Sequence, residues 1–145
     1  MTDAKYIKSQ ASRKKKTQNT NTFKEYTSIE GYKILVGKNN RQNDYLTTVL
    51  ASKTDLWFHV KNIAGSHVIL FSGGNAVCEE TILHAATLAA ENSKAAKSAN
   101  VAVDYTHVKY VKKPNGAKPG MVIYEHYNTV YIKPELLSVD NDKTD

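Results

Sequence analysis

The stretch Asp55-Leu56-Trp57-Phe58-His59-Val60 puts three chemically versatile side chains at every second position. On an extended strand, a period of two sends Asp55, Trp57 and His59 to one face and Leu56, Phe58 and Val60 to the other. A carboxylate, an indole and an imidazole on one face can do two different things. An open indole stacks on an unpaired base, worth about 1–3 kcal/mol in single-stranded nucleic-acid recognition, while Asp55 and His59 hydrogen-bond sugars or base edges. Alternatively the face packs inward, with Trp57 under a helix and Asp55 orienting His59. The pattern alone leaves both open.

Gly65-Ser66-His67 follows closely, and a neighbouring strand would bring His67 beside His59. Asp55, His59 and His67 together would suit acid–base work on RNA. A nucleophilic role for Ser66 is disfavoured, because it does not sit in a Gly-x-Ser-x-Gly elbow. A metal site assembled from Asp55, His59, His67, His84 and His107 lacks any paired ligand spacing on a helix. Gly31, Gly37 and Gly65 form neither a dinucleotide fingerprint nor a phosphate loop. The expectation is therefore no catalytic residue, no metal and no cofactor. The loop Lys112–Gly120 carries Lys112, Lys113 and Lys118 on a turn stiffened by Asn-Gly and Pro-Gly steps. Ammonium groups on such a turn suit sugar-phosphate contact, which fixes position without reading sequence. A solvated hairpin end would look the same.

The elements that must position these groups are legible from periodicity. Tyr32–Val36 reads as a strand, and a short helix over 41–51 follows, capped at Asn39-Asn40. Strands over 55–60 and 66–71 suggest a hairpin around Gly65. A long helix over 78–96 has Glu79 and Glu80 in its first turn and an inner face of Ile82, Ala85, Ala86, Ala89 and Ala90. Small residues there let a sheet approach closely. Strands over 101–111, 121–126 and 129–133 complete the pattern. The fold class is α+β: a largely antiparallel sheet packed on one long and one shorter helix.

Charge adds direction. The 145 residues carry a net +6. Residues 1–22 contain the tract Arg13-Lys14-Lys15-Lys16 and almost no large apolar side chains, so a flexible basic arm is expected there. Residues 23–134 form the domain, and residues 135–145 an acidic tail. Such a distribution suits a polyanion partner. No run of 18 apolar residues exists and no secretory signal opens the chain, so no membrane partner is expected. A single Cys78 fits a reducing, cytoplasmic setting. Oligomeric state is left open.

Several blocks, in order, resemble the NFACT-R domain: Gly31–Asp44, Asp55–Val60 with Gly65–Val68, Val103–Thr106 and Val111–Val122. The resemblance covers roughly residues 23–134. In that family the domain usually closes long RqcH-type and NEMF-type proteins of ribosome-associated quality control. Their N-terminal domain, helix-hairpin-helix and coiled coil have no counterpart among these residues, which implies a stand-alone version of the domain. What the resemblance implies is RNA binding, to tRNA or ribosomal RNA and the large ribosomal subunit, without tail synthesis by this chain alone. It marks Asp55, Trp57 and His59 as the signature of the binding surface, with Gly65, Ser66 and His67 beside them. An RNA-processing enzyme, or an adaptor docking on a larger quality-control factor, stands as the alternative.

Overall fold

The computed structural model describes residues 22–134. Eight strands occur among them: β1 Lys24–Thr27, β2 Lys33–Val36, β3 Leu56–Val60, β4 Val68–Leu70, β5 Val101–His107, β6 Val111–Lys112, β7 Ile123–Tyr124 and β8 Asn128–Ile132. Six form one sheet in the order β1-β2-β4-β3-β5-β8, with every neighbouring pair antiparallel; β6 and β7 form a separate small hairpin. The helices are α1 Asn40–Tyr45 and α2 Glu79–Glu91. The α+β expectation holds.

Both faces of the sheet are covered, because the central strands β2, β3 and β4 alternate two sets of apolar side chains. Leu56, Phe58, Val60, Val68 and Val103 point to one face and meet α2 through Ala85, Ala86, Ala89 and Ala90, all buried. Methyl side chains on the helix allow the close approach. On the opposite face, Leu35, Trp57, Ile69 and Val108 pack with Leu46 from the segment after α1, and the β6–β7 hairpin lies over the same side. Fully burying each large aliphatic side chain contributes about 1.5–3 kcal/mol.

The elements depart from their expected lengths for local reasons. Asn39 caps α1 by accepting from the Gln42 amide at 2.8 Å, and the helix then widens into a single π turn over Leu46–Leu50 that lowers Leu46 into the core. Helix α2 stops five residues short of its expected end. Asn92 and Ser93 turn their side chains back onto the carbonyls of Leu88 and Ala90, and the Lys94 amide leaves to bond Ala64 at 3.0 Å. The expected strand over 101–111 breaks at 108–110, where the amides of Val108 and Lys109 are captured by the carbonyls of Asp55 and Lys53. Strand β7 is short because Met121 closes a turn onto Lys118 and His126 takes a positive φ of 55°. Strand β1, unexpected from sequence, pairs with β2. Among the described residues no helix is long and apolar enough to cross a membrane.

Candidate nucleic-acid interface

Strand β3 presents Trp57 and His59 to the second face as the alternation requires, with Asp55 just before the strand, but the face is not open. Trp57 is only 1% exposed. Its ring is stacked on His59 at 5.7 Å, tilted against Tyr124 at 4.6 Å and edged by His67 at 5.4 Å. This corrects the expectation of an exposed stacking platform: the protein's own rings lie against the indole. It also corrects the alternative, since Trp57 lies on the side of the sheet away from the alanine-rich helix. Its Nε1–H is buried and has no acceptor, a state that costs about 1–3 kcal/mol where no water reaches.

Asp55 does not orient His59. Its carboxylate accepts from the amides of Ser52 and Gly73, both at 2.9 Å, and so ties two loops at the start of β3. An acid–base trio of Asp55, His59 and His67 is therefore not assembled. The two imidazoles do meet, with ring centroids 5.5 Å apart. Gly120 O can only accept, so His67 carries its hydrogen on Nε2, donates it at 3.1 Å, and accepts from Thr47 Oγ1 on Nδ1 at 2.7 Å. Burial, with His59 next to it, pushes the His67 pKa down to about 3. His59 is half-buried; its Nδ1–H donates to Val60 O at 2.6 Å, and burial lowers its pKa as well. Both rings are neutral at physiological pH. The remaining histidines of the imagined metal set lie apart: His84 edges Tyr26 from α2, and His107 is exposed at the end of β5.

The carboxylate beside His59 is Asp104, its register partner across β3 and β5. Fully buried, Asp104 accepts from Tyr124 Oη at 2.5 Å and Thr129 Oγ1 at 2.7 Å, and pairs with Lys61 Nζ at 3.1 Å. Burial and then Asp104 raise the pKa of Tyr124, and Asp104 raises that of Lys61. Sequence reasoning missed this group. The signal was there in the alternation of Val101 and Val103 with Asp104 and Thr106, which places a carboxylate on the polar side of β5.

Gly65 approaches Ser93 so closely that a Cβ would lie 2.8 Å from the Ser93 Cβ, which only glycine permits. Ser66 Oγ donates to Gly37 O at 2.5 Å, so its hydroxyl pins the loop to β2 instead of serving as a nucleophile. In the basic loop, Lys118-Pro119-Gly120-Met121 closes with Gly120 at φ 84°, the conformation a type II turn demands of its third residue. Lys112 and Lys118 are exposed. Lys113 is held instead, 2.7 Å from Asp44. Arg13, Lys14, Lys15 and Lys16, and the 135–145 tail, lie outside the described residues.

These loops enclose a cleft of ≈ 530 Å³ on the second face. Trp57, His59, His67 and Tyr124 line it from the sheet and β7, Asn62–Gly65 from one loop, and Pro119–Val122 from the other. A second depression of ≈ 280 Å³ adjoins it, sharing Asn40, Ala64 and Gly65 and lined also by Lys38 and Lys94.

Known proteins resemble this chain. The Rqc2 homolog RqcH of Bacillus subtilis (strain 168) is 48% identical over 137 residues, 93% of this chain and 24% of that protein. The Rqc2 homolog RqcH of Streptococcus pneumoniae is 40% identical over 123 residues, 84% of this chain and 22% of that one. The chain thus spans about a quarter of the length of the curated relatives it matches. The solved C-terminal part of the fibronectin/fibrinogen-binding protein from Streptococcus suis superposes with a TM-score of 0.73 at 42% identity, over 80% of this chain and 48% of that one. The family model described as "NFACT protein RNA binding domain" matches residues 22–126, which hold the Asp-Trp-His strand, the cleft and the basic loop. The chain belongs to that family.

Proposed function

We propose that this chain binds tRNA or the large ribosomal subunit in ribosome-associated quality control, as a binding module without chemistry of its own. The observation that carries the reading is that the matched family of RNA-binding domains spans the same residues that build the cleft and its lysine-bearing loop. The relatives named Rqc2 homolog RqcH supply the cellular context. Charge placement agrees: Glu79, Glu80 and Glu91 sit on α2, whereas Lys109, Lys112, Lys113 and Lys118 gather around β6 on the opposite side of the sheet. Exposed lysines beside an uncharged cleft suit a phosphate backbone, and the N-terminal tract Arg13–Lys16 adds a further basic segment.

The test is equilibrium binding of purified tRNA, and separately of large ribosomal subunits, across a salt series. Each phosphate contact contributes about −0.7 to the log–log slope for single-stranded RNA. Lys112→Ala and Lys118→Ala together should flatten the slope, as should deletion of residues 1–20. Affinity that is absent at low salt for both partners overturns the proposal.

A further inference from the structure

The cleft has an unusual combination of linings. No lysine, arginine, aspartate or glutamate lines it, and its two imidazoles are neutral. Its lining residues with polar groups are Asn40, Asn62, His59, His67, Tyr124 and Trp57; the remaining walls are apolar, with Ile63, Met121 and Val122. A ligand that fits is therefore flat or apolar in body, polar at its edge, and uncharged. The volume lies in the range of small-molecule sites. Exposed Lys38 and Lys94 line the adjoining depression.

The buried indole supplies a second observation. Around it nearly every polar group is partnered: His67 by Thr47 and Gly120, Asp104 by Tyr124, Thr129 and Lys61, Thr106 by the carbonyls of Glu125 and His126. Trp57 Nε1 is the buried side-chain donor without an acceptor among the described residues, and Trp57 is one of the residues that line the cleft. Phenylalanine would fill the same core without that cost. A ring carbonyl or ring nitrogen would satisfy it.

We infer that the cleft receives one unstacked nucleobase of the bound RNA, with the attached sugar-phosphate lying over the adjoining depression between Lys38 and Lys94. The base enters beside Tyr124 and between the 62–65 and 119–122 loops, and its acceptor reaches the Trp57 Nε1–H once the rings that cover the indole yield. This rests on the RNA-binding reading and makes it specific: the module would hold single-stranded or flipped nucleotides, with duplex excluded from the cleft.

Trp57 is the protein's single tryptophan, so its emission reports on the cleft directly. The probes are an octauridylate, an octaadenylate and an abasic ribose-phosphate octamer of equal charge, titrated into the full chain. A base-bearing octamer should change Trp57 emission and bind about five- to a hundredfold more tightly than the abasic one. Ala64→Phe fills the cleft from an exposed position and should reduce binding to the abasic level; Met121→Glu, at a 60% exposed residue, does the same by charge should Ala64→Phe fold poorly. Trp57→Phe should lose about two- to tenfold in base-dependent affinity, the range for one neutral hydrogen bond. Equal affinity for all octamers, with emission unchanged and with Ala64→Phe and Met121→Glu binding normally, overturns the cleft while leaving RNA binding intact. Failure of every octamer and of tRNA to bind at all overturns the RNA reading beneath it.

Discussion

Replacing Trp57 by alanine separates a residue that holds the second core together from one that merely faces it. The indole is 1% exposed and packs with Leu35, Leu46, Ile69 and Val108, which come from β2, the π turn after α1, β4 and the turn after β5. Four elements of the chain therefore border the space that truncation would open, and three of them belong to or directly continue the sheet. Collapse is limited, and the cost falls in the upper range for a buried aromatic, about 3–5 kcal/mol. For an ordered body of this size that lowers the Tm by roughly 10–25 °C. Trp57→Phe should behave differently. It sacrifices part of the ring contact but removes a buried donor with no acceptor, whose desolvation costs about 1–3 kcal/mol, so the two terms nearly cancel. The assay is urea and thermal unfolding followed by far-ultraviolet circular dichroism, with a constant m-value as the check that both variants unfold from the same compact state. A Trp57→Ala protein melting within about 3 °C of wild type would refute the core assignment.

Other outcomes follow from the same geometry. His59 and His67 have pKa values below 6.5 in the folded chain, so below pH 6.5 the unfolded chain binds more protons and stability falls with pH; His67 alone should contribute a slope of about 1.4 kcal/mol per pH unit until pH nears 3, and His67→Gln should flatten the curve from urea melts at pH 7, 6 and 5. Asp104→Asn removes a buried carboxylate that accepts from Tyr124 and Thr129 and pairs with Lys61, and should destabilise by about 1–3 kcal/mol in the same assay. Gly65→Ala forces a Cβ against Ser93 and Val60 and should cost about 1–3 kcal/mol, with the shift confined to the 62–67 loop and the end of α2 in amide spectra. A double-mutant cycle on Lys113 and Asp44 should return only about 0.2–1 kcal/mol of coupling, since both side chains are partly exposed.

Much of this architecture was legible because period two and helical spacing survive in single segments. The β3–β4 hairpin, the alanine-rich face of α2 and the pairing of His59 with His67 all follow from local pattern. The mistakes share a cause, which is that local pattern cannot say what covers a face. Trp57 reads as an open platform until the π turn and the β6–β7 hairpin are known to lie on that side of the sheet. Asp55 reads as a partner for His59 until the amides of Ser52 and Gly73 are placed on its carboxylate. Asp104 is 45 residues from His59 in sequence, and only the β3–β5 register brings the two together. The basic loop reads as a turn, yet the pairing of its Lys113 with Asp44 on α1 is a contact no local signal encodes.

The most direct test of the account is a map of backbone amide shifts as tRNA is titrated into the protein at low salt. The account predicts that the largest shifts fall on Lys38–Asn40, Asn62–His67 and Lys112–Val122, the segments that frame the cleft, together with the Trp57 indole N–H. Shifts concentrated on the outer face of α2, with those segments and the indole signal unmoved, would contradict it.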